Sequence, residues 1–266
     1  MKPLQATIEG IGFWAPGLPS WDAARAYANG GERVADAPGR PSPQLLAPNE
    51  RRRAPESVAV ALEVALAACT AAGREPVALP SVFASASGDL AITDYMCATL
   101  ASDPRSISPT RFHNSVHNAA AGYWTIGTGA MQPATAISAG DATFAQALIE
   151  ALTQLASGAD AVLLAAYDGA SAGPLKQVVP SEGLLGAAMV LSQHARDGAP
   201  VLAVELDDDR GEAASIGMLA KHSAGNAMAQ MLPLFDALAR DGAHGNEEPV
   251  ILRAGPGRAL TVRIRW

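Results

Sequence analysis

The residue whose placement invites chemistry is Asp141. Residues 135–139 form a short apolar run and Gly140 permits a sharp bend. From residue 142 onward, apolar side chains recur at Phe144, Ala147, Leu148, Ala151, Leu152 and Leu155 with helical spacing. Gly158 ends that helix, and residues 160–167 are a second apolar run without alternation, the pattern of a strand covered on both faces. The unit is strand, elbow, helix, strand, with Asp141 at the elbow. Side chains there point out at a helix N-terminus, where the dipole favours negative charge and where enzymes place anionic nucleophiles. The plainer alternative is that Asp141 is a helix N-cap.

Other groups of reactive type carry weaker signals. His113 and His117 lie four residues apart and could share a metal on one helical face, but no glutamate lies between them and no third ligand is evident. Capping or dimer-contact histidines are the simpler reading. The run Asp207-Asp208-Asp209 could hold a divalent cation, although an exposed loop explains it as well. The turn Ser85-Ala86-Ser87-Gly88 has the look of a phosphate loop without its Lys-Ser/Thr ending or its second glycine, which argues against nucleotide binding. Arg51-Arg52-Arg53 is either an anion or carrier-protein patch or a solvated face. Cys69 and Cys97 fall in helical patterns with no partner at metal-ligand spacing, and both read as buried thiols in a reducing compartment. No metal or other cofactor is expected.

The elements that must position these residues alternate in type. Residues 5–14 read as a strand running into the breakers Ala15-Pro16-Gly17, and residues 21–28 as a short helix. Residues 35–55, with their prolines, read as an irregular surface segment. A helix stripe through Val58, Leu62, Ala65, Leu66 and Cys69 closes at Gly73. Residues 82–87 predict a strand and residues 89–101 a helix, with Ile92, Tyr95, Met96 and Thr99 on neighbouring turns of one face. Residues 103–109 are a loop, and Ala119-Ala120-Ala121-Gly122-Tyr123-Trp124 begins a helix of small residues suited to close packing. Further strands are expected over 184–192, 201–206, 250–253 and 259–264, the last two flanking Gly255-Pro256-Gly257, with a helix over 228–238. Alternating strands and helices predict an α/β layered sheet.

A chain of 266 residues, 49% hydrophobic but only 5% aromatic, suits alanine-rich helices packed closely on a sheet. No apolar run reaches the roughly 18 residues of a transmembrane candidate, and no signal-like N-terminus is seen, so a cytoplasmic protein without a membrane span is expected. A net charge of −7 argues against non-specific nucleic-acid binding.

The order of several motifs resembles the N-terminal half of a β-ketoacyl synthase, of the thiolase fold. Ile8-Glu9-Gly10-Ile11-Gly12 with Pro16-Gly17 resembles the opening strand. Arg52-Arg53 before an alanine-rich helix, Asn118 with Ala121-Gly122, and the run from Leu185 through Gly186 and Met189 to Leu191 follow in the family's order. The resemblance implies a thiolase-like half-fold, helices on both faces of a layered sheet, over residues 1–193, with residues 194–266 a shortened C-terminal extension on the same sheet. The departure lies at the elbow: where the family carries the cysteine that takes the acyl chain, this sequence has Asp141. A carboxylate is a poor acceptor from a thioester, because its adduct would be a mixed anhydride of much higher energy. Only about 70 residues follow Gln193, so the half that supplies the family's two catalytic histidines is largely missing. His222-Ser223-Ala224-Gly225-Asn226 faintly resembles its histidine-glycine motif, with His222 expected to be structural.

A chain of this kind resembles a chain length factor, the non-condensing partner of a ketosynthase, and specifically the short forms associated with aryl polyene and related pathways. The resemblance implies no catalytic residue, pairing with a full-length ketosynthase or with itself, and contact with acyl carrier protein through that partner. It also implies that the 89–101 helix lies at the dimer interface, with Ile92, Tyr95, Met96 and Thr99 reaching the end of the partner's acyl tunnel. His113, Asn114, His117 and Asn118 are expected beside them. The competing expectations are a decarboxylase or hydrolase using Asp141 as base, or a purely structural partner.

Overall fold

In the computed structural model, which describes residues 3–208, 216–240 and 248–266, the organising contact is a helix laid directly on two strands. Strand β1 (Leu4–Trp14) is followed by helices α1 (Trp21–Ala28), α2 (Pro48–Arg53) and α3 (Glu56–Ala72). A Cβ on Gly10 would fall 2.4 Å from the Ala68 carbonyl oxygen, and one on Gly12 would fall 2.0 Å from that of Val64. Glycine at these two positions is what lets the α3 backbone reach the sheet. Val60, Ala61, Val64, Ala65 and Ala68 are fully buried in that contact, and α3 stops at Gly73, which takes the left-handed conformation.

The chain continues through β2 (Ser81–Ala84), α4 (Leu90–Ser102), α5 (Pro109–Asn114), α6 (Ala119–Thr128), β3 (Ala134–Ile137), α7 (Thr143–Ala156), β4 (Ala161–Asp168) and β5 (Leu185–Ser192). It then runs through β6 (Val201–Asp208), α8 (Met218–His222), α9 (Leu232–Leu238), β7 (Val250–Gly255) and β8 (Arg258–Arg265). Among the described residues the eight strands form one sheet in the order β3-β2-β4-β5-β1-β6-β8-β7. Strands β3, β2 and β4 are parallel, and the remaining pairings are antiparallel. Strands β4 and β5, every residue of them buried, are the sheet's centre.

Two cores flank the sheet. One joins α3 and α6 to one face through Leu62, Phe83, Trp124 and Leu163. The other gathers Phe144, Leu148 and Leu152 of α7 with Phe235 of α9 and with Leu252, Leu260 and Val262 of the C-terminal hairpin. Helix α7 packs against β1, β2 and β4 and also against β7, while β7 touches the 3-10 turn Gly140–Ala142 that follows β3. The sheet therefore curls over α7 until its last strand meets the turn beyond its first. Residues 201–208 and 250–265 continue the sheet and cover the far side of that helix.

Several expectations need correction. The proline-rich stretch before α3 contains α2, whose first residue is Pro48, a residue suited to the first helical turn. Within it Arg51 is not a free cation, since its guanidinium donates to the Leu46 carbonyl. Asp207 and Asp208 are the end of β6, not a loop: Asp207 accepts from the Thr261 hydroxyl at 2.7 Å, and Asp208 faces Arg258 at 3.7 Å across the ladder. Asp209 lies outside the described residues. Cys69 is buried, which pushes its thiol up to about 12, but Cys97 is exposed. The helix expected over 228–238 begins as a 3-10 turn, Ala227–Met231, before α9. Among the described residues no helix is long and apolar enough to cross a membrane, and no group of three or more His, Cys, Asp or Glu side chains could hold a metal.

Candidate functional site

At the elbow, Gly140 has φ +56° and turns the chain out of β3. The turn is held by its own backbone and by Thr143, whose hydroxyl accepts from the Ala139 amide at 2.9 Å and donates to the Gly140 carbonyl at 2.7 Å. Asp141 takes no part in this. The residue preceding α7 is Ala142, with no side-chain cap, so the expected N-cap role of Asp141 is overturned. Its side chain is 85% exposed and, among the described residues, meets Arg253 Nη1 of β7 at 3.4 Å. The neighbours of the elbow are the C-terminal elements: Gln230 Nε2 donates to the Gly140 carbonyl at 3.1 Å, and Gln146 Nε2 donates to the Ala254 carbonyl of β7 at 2.6 Å.

A carboxylate that acts as nucleophile or base needs partial desolvation and donors aimed at the developing oxyanion. A side chain open to water beside one exposed guanidinium has neither. The histidines in the described residues are engaged elsewhere. His222 Nε2 donates to the Pro16 carbonyl at 3.0 Å and its ring stands edge-on to Tyr27. His194 meets Asp160 at 2.5 Å. His113 stacks edge-on with Tyr123, and His117 Nε2 donates to the Ser85 carbonyl at 2.8 Å. His113 belongs to α5 and His117 to the turn after it, so the two do not share a helical face.

A second region gathers the other residues singled out by sequence. Helix α4 is capped by Asp89, whose carboxylate accepts from the Ile92 amide at 2.9 Å and from the Ser57 hydroxyl at 2.7 Å. Although α4 is mostly apolar, only Leu90 and Thr99 are buried in it. Ile92, Tyr95 and Met96 are half-buried. The Arg111 guanidinium stacks 3.9 Å above the Tyr95 ring, whose hydroxyl accepts from the Ser108 amide at 3.4 Å. Asn114 is buried and accepts from the Tyr123 hydroxyl at 3.0 Å. Asn118, at the start of α6, is exposed.

The open edge of the sheet lies beside α6. Among the described residues strand β3 is paired only with β2, and His117, Ala121 and Thr125 border its free side together with Ala134 and Ala136. Ile126 and Met131 are 80% and 95% exposed, and Leu100, Phe112 and Val116 are further exposed apolar side chains of the chain between β2 and β3. Sequence reasoning missed one charged residue here. Asp168, the last residue of β4, is buried and accepts from the Ser85 hydroxyl at 2.6 Å and the Ala86 amide at 2.9 Å. Burial pushes its carboxyl up to about 6, with the Ser85 hydroxyl and the amides of Ala86 and Ser87 pulling it back. The available signal was an acid closing an otherwise apolar strand.

Comparisons with known proteins agree with this architecture. The ketosynthase ApeO in complex with its chain length factor ApeC, from Xenorhabdus doucetiae, contains a chain similar to this one at a TM-score of 0.74 and 23% identity, covering 97% of this chain and 99% of that one. The ishigamide ketosynthase/chain length factor matches at 0.72 and 15% identity, over 98% and 99% of the two chains. The AntDE:AntF complex, a type II PKS acyl-carrier protein with its ketosynthase bound to the hexaketide, matches at 0.71 and 14%, over 99% of each chain. At these identities the likeness is one of fold. No curated protein matches the sequence. The family model described as Beta-ketoacyl synthase, N-terminal domain, matches residues 21–247. That match spans the elbow, the alanine-rich α3 and the all-buried β4 and β5, and the chain belongs to the β-ketoacyl synthase N-terminal domain family.

Proposed function

We propose that the protein is a non-condensing chain length factor that pairs with a full-length ketosynthase and closes the end of its acyl tunnel. The observations that carry this reading are the apolar surface left exposed on α4, as at Ala91, Cys97 and Leu100, and, among the described residues, the open edge of β3 beside α6. A helix apolar on all sides ordinarily lies inside a larger packed body. An unpaired strand edge beside exposed apolar surface is a template for another chain. Solved relatives that pair a ketosynthase with a chain length factor, matched over nearly their whole length, support the same assignment.

In this reading β3 pairs antiparallel with the partner's equivalent strand, and acyl carrier protein is met through the partner. The substrate stays on the partner's cysteine, since the elbow here offers only a solvated carboxylate. Ile92, Tyr95, Met96 and Thr99 form the face that limits the growing chain. His113, His117 and Asn118 border the interface, while Asn114 supports Tyr123 from within.

Co-expression with a cognate full-length ketosynthase should give a one-to-one complex by light scattering. A chain that remains monomeric, or forms only homodimers beside an unbound ketosynthase, would overturn the reading. With carrier protein added, Tyr95→Ala or Met96→Ala should lengthen the products and Thr99→Phe should shorten them. Unchanged lengths across all three variants in an intact complex would exclude this face as the stop.

A further inference from the structure

We infer that Asp168 is a positioning residue: it fixes the turn from which α4 departs, and so sets where the length-limiting face of that helix stands. The inference rests on the tunnel-closing role assigned above and adds the device that holds the closing helix in place.

Helix α4 is not fixed by core packing. Most of its side chains are at least partly exposed, and a cavity of about 700 Å³ separates its first turn from residues 169–172 and from α5. A helix so placed can rock unless its ends are tied. Its start is tied by a set of polar bonds that converge on residues 85–88. The Ser85 hydroxyl donates to Asp168 and accepts from the Gly88 amide at 2.8 Å. The second carboxylate oxygen of Asp168 accepts the Ala86 amide. His117 Nε2 donates to the Ser85 carbonyl, and Ser138, just past β3, donates through its hydroxyl to the Ala86 carbonyl at 2.8 Å. The turn is thus held at once from β4, from the segment before α6, and from the strand edge where a partner would dock.

Asp168 is the hub for two reasons. It is the only member of the set with two acceptor oxygens that are both engaged, and it sits at the end of the fully buried β4, which is paired on both sides within the sheet. Removing it leaves a buried hydroxyl and the Ala86 amide without an acceptor, a loss larger than that of an ordinary surface hydrogen bond. Ser85 shares the bond and is itself buried, so its truncation tests the same contact with little change in volume.

Amide hydrogen exchange on the full chain, together with product lengths from the complex reconstituted with ketosynthase and carrier protein, tests the inference on Asp168→Ala, Asp168→Asn and Ser85→Ala. Exchange over residues 86–102 should rise by roughly 10- to 100-fold in Asp168→Ala. It should rise less in Asp168→Asn, which keeps one acceptor, and in Ser85→Ala, while α7 and β5 stay protected. The product distribution should broaden in the same order, a change that general loss of stability would not produce. If Asp168→Ala does not fold, the two milder variants decide. Exchange that rises uniformly, or not at all over 86–102, overturns the inference. So does an unchanged product distribution in a protein where Met96→Ala or Tyr95→Ala does shift lengths. If no α4 variant shifts lengths, the tunnel-closing role itself fails, and the exchange pattern alone then decides whether Asp168 holds the helix.

Discussion

Helices α4 and α7 have 13 and 14 residues, both rich in alanine and larger apolar side chains, yet they end in opposite environments. In α7, Gln146, Glu150, Thr153 and Gln154 keep to one side, and eight residues, including Phe144, Leu148 and Leu152, are buried beneath the curled sheet. In α4 the apolar residues run all round the helix, and only Leu90 and the polar Thr99 are buried. The difference teaches that apolar content states how much surface must be covered, while its segregation states whether the same chain does the covering. Helix α7 is covered within the fold, and most of α4 is left partly or fully exposed.

The sharpest way to break this contrast is to truncate each helix and measure the isolated chain. Leu148→Ala or Leu152→Ala should cost about 2–5 kcal/mol by denaturant unfolding, because each leaves a cavity under a closed sheet. Leu100→Ala on α4 should change stability by no more than about 0.5 kcal/mol, since the side chain is 52% exposed. The same Leu100→Ala should nevertheless weaken the complex with the ketosynthase. A large loss of monomer stability from Leu100→Ala would place α4 in this chain's own core and end the comparison.

The elements that proved legible in the sequence are those whose signal is local. The helical stripe of α7, the unbroken apolar runs of β4 and β5, and the glycine stop after α3 all follow from residues within one turn or one strand of each other. The site was legible only in part. Periodicity located α4 but could not say how little of it is buried, because exposure depends on what the rest of the chain does. The Ser85 to Asp168 contact joins residues 83 apart, and the Asp141 to Arg253 contact residues 112 apart. Neither leaves a trace in local spacing. The curl that brings β7 to the elbow is likewise a property of eight strands together. The short α2 was hidden by prolines that also serve as helix starters.

A second test concerns the buried acid that ties α4 to the sheet. Asp168 has its carboxyl raised to about 6, first by burial, against about 3.9 in an unfolded chain. Between those values the native state holds a proton that the unfolded state has released. The stabilisation is therefore fully present below about pH 4 and is lost as pH rises through about 6, on the order of 2–3 kcal/mol in all. Groups interacting with the same carboxylate are His117, which favours its charged form, and Tyr167, whose phenol is pushed up by burial and by Asp168 and Asp89. Unfolding free energy measured from pH 4 to 7.5 should show this fall in the wild type, and Asp168→Asn should flatten it. An identical slope in both would mean that Asp168 does not titrate in this window.

The smallest effect is expected at the residue that first drew attention. Asp141 caps no described helix, and its ion pair with Arg253 spans 3.4 Å between two largely exposed side chains. Pairs of that kind contribute little, because water and salt screen them and two long side chains must be held to make them. Asp141→Asn should leave the melting temperature within error of wild type, and it should leave the yield and length of products in the reconstituted complex unchanged. Asp141→Cys places the family's nucleophile at the elbow, but the thiol would stand in water with no histidine of the described residues engaged there. It should therefore take no acyl chain from carrier protein and form no condensation product. Intact-mass measurement after incubation with acyl carrier protein checks both variants: a stable acyl adduct on wild type or on Asp141→Cys would return the elbow to catalysis, and would make the contrast between a covered helix and an exposed one a secondary feature of this chain.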